Sequence, residues 1–287
     1  MTATNPVRVT ELRVTVDDGV ELAVEIAGIG PGLVMVHGFG GAKEDFADHR
    51  DRLARHHTVV TFDHRGHGAS DAPTELDAYS FQRLRADTLA VAHTAGLDRY
   101  RLLGHSMGGM LVRRIAVERP DLVSALVMMD TSPGPIPGFD PELIEIGAGV
   151  AINEGKDALK ALLDLTAPLD TPAYQRVLKE RPGYVEFCDR KWDDTSHIMW
   201  AAMAREMANQ PDDLDAMRSL TMPVLVIVGD QDEPFLKPSR AMVDAIAGVQ
   251  FAVIPNAGHS PQFENPDAWF SALDRFLVSL ERDERVG

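Results

Sequence analysis

Three short stretches of the chain carry the residue types of a proton relay. The first is Gly104-His105-Ser106-Met107-Gly108-Gly109, set between the apolar run Tyr100–Leu103 and the helical pattern Met110–Val117. A serine with glycines two positions to either side, at a strand-to-helix turn, is the setting of a nucleophile elbow. The turn is so tight that side chains at positions 104 and 108 would collide. It leaves the Ser106 hydroxyl clear at the C-terminal edge of a sheet, at the positive end of the following helix. A hydroxyl is a weak nucleophile until a base takes its proton. Of the 10 histidines, His259 stands apart, because it follows the run Phe251–Ile254 within Pro255-Asn256-Ala257-Gly258-His259-Ser260-Pro261. Loops at strand C-termini are where open α/β sheets gather their ligands. His49, His56, His57 and His93 have polar neighbours and are expected at the surface. The third stretch, Gly229-Asp230-Gln231-Asp232-Glu233-Pro234, follows Val224–Val228 and supplies a carboxylate to orient the imidazole. Asp232 is preferred, since it lies far enough into the loop to turn toward His259. Asp230 is expected to serve the turn and Glu233 to be solvated; Asp130, at the end of the preceding strand, is the alternative acid.

These residues need a sheet to bring them together. Val7 to Val16 and Val20 to Ile26 alternate about Asp17-Asp18-Gly19, which predicts an antiparallel hairpin. Short continuous apolar runs then follow at Leu33–Val36, Thr58–Phe62, Tyr100–Leu103, Ala125–Met129, Val224–Val228 and Phe251–Ile254. Such runs predict strands buried on both faces, in a mostly parallel sheet covered by helices, so the fold class is α/β. Between Met129 and Val224 the strand signal stops at a cluster of prolines. Helices are expected over Pro141–Asn153, Lys156–Leu165, Pro172–Glu180, His197–Ala208 and Asp213–Leu220. The resulting division is a core of residues 1–132 and 221–287 with an inserted helical cap at 133–220. Pro266–Arg282 closes the chain as a helix with Trp269, Leu273, Phe276, Leu277 and Leu280 on its inner side.

Composition narrows the partners. The 287 residues hold 28 Lys+Arg against 44 Asp+Glu, a formal net charge of −16. So acidic a chain is poorly suited to nucleic acid or to anionic membrane surfaces. The single cysteine, Cys188, excludes an intramolecular disulfide and is read as a packing residue. The first residues lack the pattern of a signal peptide, and no apolar run approaches the roughly 20 residues that span a bilayer. A cytoplasmic protein acting on a small molecule is expected, with its oligomeric state open.

Two further stretches complete a family pattern. His37-Gly38-Phe39-Gly40-Gly41 follows the third strand, and Phe62-Asp63-His64-Arg65-Gly66-His67-Gly68-Ala69-Ser70 follows the fourth. With the Ser106 and His259 motifs and the order Ser106, Asp232, His259, nearly the whole chain resembles serine α/β-hydrolases of the esterase, lipase and lactonase kind. The resemblance implies an oxyanion hole from the backbone amides of Phe39 and Met107, and it makes His64, Arg65 and His67 scaffolding of a structural turn. Serine at the elbow, where haloalkane dehalogenases and epoxide hydrolases of this fold carry aspartate, argues against those activities. Neither a dinucleotide fingerprint nor a metal-ligand spacing is present, so no cofactor and no metal are expected.

The cap should decide what enters. Met199, Met203 and Met207 recur at i, i+4 spacing, with Trp192, Trp200 and Phe187 near in sequence. Either they pack the cap on the core or they form an adaptable apolar wall. The substrate-binding residues expected are Trp200, Met203 and Phe235, extended by Phe39, Met107 or Leu236. The expected reaction is acyl-enzyme hydrolysis of a small, mostly apolar carboxylic ester. Alternatives are a carbon–carbon hydrolase of a ring-cleavage product, with Arg190 as a candidate cation, a lactonase or perhydrolase, and a receptor-like binding protein of the same fold.

Overall fold

The computed structural model describes residues 7–138, 140–165 and 170–286. The chain opens with β1 (Val9–Thr15) and β2 (Glu21–Ala27), then β3 (Gly32–Val36), α1 (Ala47–Leu53) and β4 (Thr58–Phe62). Next come α2 (Phe81–Thr94), β5 (Tyr100–His105), α3 (Met107–Glu118) and β6 (Val123–Met129). A helical insertion follows: α4 (Pro141–Glu154), α5 (Lys156–Leu163), α6 (Pro172–Glu180), α7 (Tyr184–Asp193), α8 (His197–Asn209) and α9 (Leu214–Met217). The chain ends with β7 (Val224–Gly229), α10 (Glu233–Ala245), β8 (Gln250–Ile254), α11 (Pro261–Glu264) and α12 (Pro266–Val286).

The 8-stranded sheet has the order β1-β2-β4-β3-β5-β6-β7-β8, antiparallel only where β2 meets β1 and β4. The direction of winding reverses between β3 and β5. The connections leaving their C-terminal ends therefore diverge and open a crevice there, the place where such sheets bind ligands. Both faces are covered. α2, α3 and part of the insertion bury Val34, Leu102, Met110 and Val226 on one side, while α1 and α12 bury Met35, Leu103 and Ile227 on the other.

The outermost run departs from expectation. β8 pairs only with β7 and leaves Phe251 and Val253 exposed, so it is an edge strand and not one buried on both faces. The insertion also contains a helix that the sequence patterns above do not anticipate, α7. Tyr184, Phe187 and Cys188 stand at i, i+3, i+4 spacing and pack with Phe263. Cys188 sits half-buried in that cluster, as a packing residue would.

The insertion is tied to the core by backbone as well as by side chains. The Ser196 amide donates to the Gly66 carbonyl at 2.8 Å, and the Ser196 hydroxyl caps α8 by accepting from the Met199 amide. α8 then packs along α4 over the sheet's C-terminal rim.

Candidate active site

The elbow is held by sterics. Ser106 has φ 53° and ψ −117°, a conformation that costs energy for any residue but glycine. A Cβ on Gly104 would lie 2.3 Å from the Gly108 carbonyl oxygen, and one on Gly108 would lie 2.3 Å from that of Val36. The two glycines thus let β5, α3 and β3 approach closely enough for the turn to exist. The Ser106 amide donates to the Met129 carbonyl at 2.9 Å, and the Thr131 hydroxyl donates to the Ser106 carbonyl at 2.7 Å.

The residues picked from three distant stretches converge. Ser106 Oγ lies 2.9 Å from His259 Nε2, and His259 Nδ1 lies 2.8 Å from Asp232 Oδ2. A carboxylate only accepts, so Nδ1 carries the proton and Nε2 presents its lone pair to the serine hydroxyl. The Phe235 ring stacks on the imidazole, with centroids 4.7 Å apart. The loop carrying His259 is pinned twice more. His105 Nε2 donates to the His259 carbonyl at 2.6 Å, and Glu264 accepts from the amides of Gly258 and Ser260.

Each of the four acids has a distinct place. Asp232 is the one bonded to His259. Asp230 accepts from the Ala257 amide at 3.1 Å and so serves the turn, while Glu233 faces solvent. Asp130 is fully buried, accepts from the Gly229 amide at 2.8 Å, and brings a carboxylate oxygen into one cluster with those of Asp232 and a ring nitrogen of His259, all within 4.8 Å. Burial first, and then the charge of Asp232, push the Asp130 carboxyl well above the usual range. This cluster could reach a cation only by giving up the His259–Asp232 hydrogen bond.

Gly38 presses on the elbow, since a Cβ there would be 3.0 Å from that of Ser106. The amides of Phe39 and Met107, next in the chain to Gly38 and Ser106, donate to no protein acceptor among the described residues. Three buried imidazoles support this loop. His37 donates Nδ1–H to the Gly38 carbonyl and accepts the His64 amide, and His67 Nε2 accepts the Gly40 amide at 3.2 Å. The bonds of the His37 and His67 rings require them to be neutral, while the His64 ring makes none. Burial accordingly pulls His37 well below the ordinary value, His64 to about 3 and His67 to about 4. Arg65 grips Asp87 through two bonds of 2.7 Å and also meets Asp18, so it anchors the turn.

A cavity of about 570 Å³ opens above Ser106 and His259. Phe39, Ile144, Trp200, Met207 and Phe235 give it an apolar wall, with Phe39 and Trp200 in tilted ring contact at 5.6 Å. Of the residues expected to bind substrate, Trp200 and Phe235 line this cavity. Met203 does not line it: its side chain is fully buried in the core, and Met207, one turn further along the same stripe of α8, reaches the wall. The Met107 side chain is likewise fully buried, and Leu236 packs against the core and stays off the wall. Arg190 is exposed and lies against Phe187; the cation lining the cavity is its neighbour Lys191, 2.7 Å from Asp45. Among the supposed surface histidines, His49 and His57 are buried. His49 bonds the Gln262 carbonyl at 2.9 Å, and His57 accepts from Arg101 at 2.6 Å.

Comparison with known proteins places this arrangement. The family model described as alpha/beta hydrolase fold matches residues 31–266. The chain belongs to the α/β hydrolase fold family. A Bacillus subtilis (strain 168) protein provisionally named 2-succinyl-6-hydroxy-2,4-cyclohexadiene-1-carboxylate synthase is 28% identical over 272 residues, covering 94% of this chain and 99% of that one. The enol-lactonase from Burkholderia xenovorans LB400 is similar at 25% identity and a TM-score of 0.82, over 93% of this chain and 100% of that one. A thermophilic esterase from Thermogutta terrifontis is similar at 26% identity and a TM-score of 0.81, over 94% and 99%. Among the described residues, no helix is long and apolar enough to cross a membrane.

Proposed function

We propose that this hydrolase cleaves small, mostly apolar carboxylic esters through an acyl-enzyme, with Ser106 as nucleophile, His259 as general base and Asp232 as the acid that orients it. The observation that carries the reading is the continuous hydrogen-bond chain from Ser106 Oγ through both nitrogens of His259 to Asp232, at 2.9 and 2.8 Å, on the floor of an apolar cavity. His259 Nε2 takes the serine proton as Oγ attacks the ester carbonyl. The charge that forms on the imidazole is offset by the Asp232 carboxylate across the Nδ1–H bond. The free amides of Phe39 and Met107 receive the developing oxyanion, each such donor contributing about 3 kcal/mol to the barrier reduction. His259 then returns the proton to the departing alkoxide and activates water for deacylation. The helices between residues 133 and 220 act as a cap, whose Trp200 and Met207 shape the acyl or alcohol pocket.

A lactone is the second reading, because the machinery is the same and a relative of 25% identity is an enol-lactonase. The intact hydrogen-bond chain argues against a silent, receptor-like role. A panel of p-nitrophenyl esters of increasing chain length, γ- and δ-lactones and a coloured dienone acid decides among these. Short to medium esters should turn over fastest. Turnover of the dienone acid alone would move the assignment to carbon–carbon hydrolysis.

A further inference from the structure

We infer that Asp130 stands behind Asp232 as a neutral carboxylic acid whose O–H is donated to the Asp232 carboxylate, making Asp130 the positioning residue of the triad and its reserve acid. The inference rests on the reading of Ser106, His259 and Asp232 as a triad. Its basis is the convergence of two strand ends. β6 and β7 are parallel neighbours with Met129 opposite Ile227, so the residue after β6 and the loop after β7 emerge side by side at one rim. Asp130 turns there with φ 47°, a left-handed conformation that aspartate tolerates better than most residues. Its amide donates to the Ile227 carbonyl at 2.9 Å, and its Oδ1 accepts from the Gly229 amide at 2.8 Å. The backbone of β7 therefore fixes the carboxyl group at one oxygen.

The other oxygen decides the chemistry. Oδ2 is buried and accepts from no donor among the described residues, and the group it faces is the carboxylate of Asp232, itself 2% exposed. The charged groups around Asp130 are Asp232 from the β7–α10 connection, Glu264 from α11 and, beyond Asp232, the imidazole of His259. No Lys or Arg among the described residues forms an ion pair with any of these three acids. Two buried carboxylates so close, with no cation between them, cannot both be ionised. Asp232 already receives the His259 N–H and so keeps its charge. Asp130 holds the proton, and the acceptor it faces among the described residues is Asp232. The O–H bond adds a second tether to the carboxylate that aims His259, without adding a second negative charge to the site.

The same geometry gives Asp130 a second use. If Asp232 is removed, the like charge that keeps Asp130 protonated is gone, and its oxygen still lies within 4.8 Å of the His259 ring nitrogen in that cluster. Asp130 then releases its proton to solvent and orients His259 itself, directly or through one water in the vacated space.

The test uses the rate of covalent labelling by a fluorophosphonate across pH, which needs no known substrate. Asp130→Asn keeps an acceptor for Gly229 and a donor for Asp232. It should slow labelling about threefold and leave the acid limb of the pH profile in place. Asp232→Ala should label at least tenfold faster than Asp232→Ala/Asp130→Asn. In the unmodified protein at neutral pH, the infrared carbonyl stretch of a protonated carboxylic acid should be present, and it should vanish in Asp130→Asn even if other variants fold poorly. An acid limb moved to lower pH in Asp130→Asn would mean that Asp130 is ionised. Equal rates in Asp232→Ala and the double variant would remove the reserve role. Either result overturns the inference while leaving the triad intact. Failure of the unmodified protein to label at all would overturn the triad reading, and the inference with it.

Discussion

The ring of Phe235 lies over the imidazole of His259, 4.7 Å between centroids with the planes 30° apart, and it forms cavity wall on its other edge. One side chain thus both packs on the imidazole and lines the cavity. Phe235→Ala should lower kcat by roughly tenfold to a hundredfold, because it frees the imidazole to leave the attack geometry. It should also cost about 3–5 kcal/mol of stability through the cavity it leaves. Phe235→Leu should recover most of the stability and only part of kcat. Equal kcat in both variants and the unmodified enzyme would show that the ring does not position His259.

The glycines of the elbow are steric requirements. Gly108→Ala would set its methyl 2.3 Å from the Val36 oxygen and 2.6 Å from that of His37, both backbone atoms that cannot swing away. Activity should fall at least a hundredfold and the melting temperature should drop. Gly149→Ala on α4, with nothing within 4 Å, should instead stabilise by about 0.5–1 kcal/mol. Thermal melts and initial rates of the pair check both signs.

Lys191 and Asp45 join the insertion to the core at the cavity wall, 2.7 Å apart, with the Asp45 side chain 4% exposed. Lys191→Met leaves a buried carboxylate without its cation. It should cost roughly 2 kcal/mol, discounted from the fully buried case because Lys191 keeps some contact with water. The double variant Lys191→Met/Asp45→Asn should regain most of that loss. Urea unfolding of both variants measures it, and additive losses would show that the pair is not coupled.

Acid should destabilise the fold well above the carboxylate range. His37, His64, His67 and His105 are held neutral chiefly by burial, and His49 and His57 are lowered as well. Each has a native pKa below its unfolded value of about 6.5, so below that pH the unfolded chain binds more protons. Each then contributes about 1.4 kcal/mol of lost stability per pH unit until its native value is reached, about 4 for His67 and about 3 for His64. Asp87, Asp130 and Glu264, raised by burial, act in the opposite sense: their contribution is present at low pH and lost as pH rises. The histidines outnumber them, so the melting temperature should fall from pH 7 to pH 5. His64 has neither ring nitrogen bonded, and His64→Leu should flatten that slope. An unchanged slope would show that His64 does not titrate in the unfolding reaction.

Much of this was legible from residue type because sterics and chemistry leave few choices. Gly104 and Gly108 admit no side chain beside Ser106, and buried parallel strands declare themselves in runs such as Thr58–Phe62, whose bounds the structure reproduces. The convergence of Ser106, His259 and Asp232 follows once their loops leave the same sheet edge. What escaped depends on neighbours distant in sequence. Met203 and Met207 share a helical stripe, and only what packs around α8 leaves Met207 at the cavity while Met203 stays within the core. His49 and His57 look polar by sequence, but they are paired with Gln262 and Arg101. β8 reads as doubly buried until its place at the sheet's end is known. The facing of Asp130 and Asp232 depends on which strand lies beside β6, which no local pattern states.

The central claim is that Ser106 is the activated nucleophile. Its most direct measurement is intact mass and peptide mapping after treatment with a fluorophosphonate, on the unmodified protein and Ser106→Ala. One adduct on the peptide containing Ser106, absent in Ser106→Ala together with loss of ester hydrolysis, is the result the structure predicts. Labelling of Ser106→Ala at the unmodified rate, or hydrolysis that survives the substitution, would contradict it.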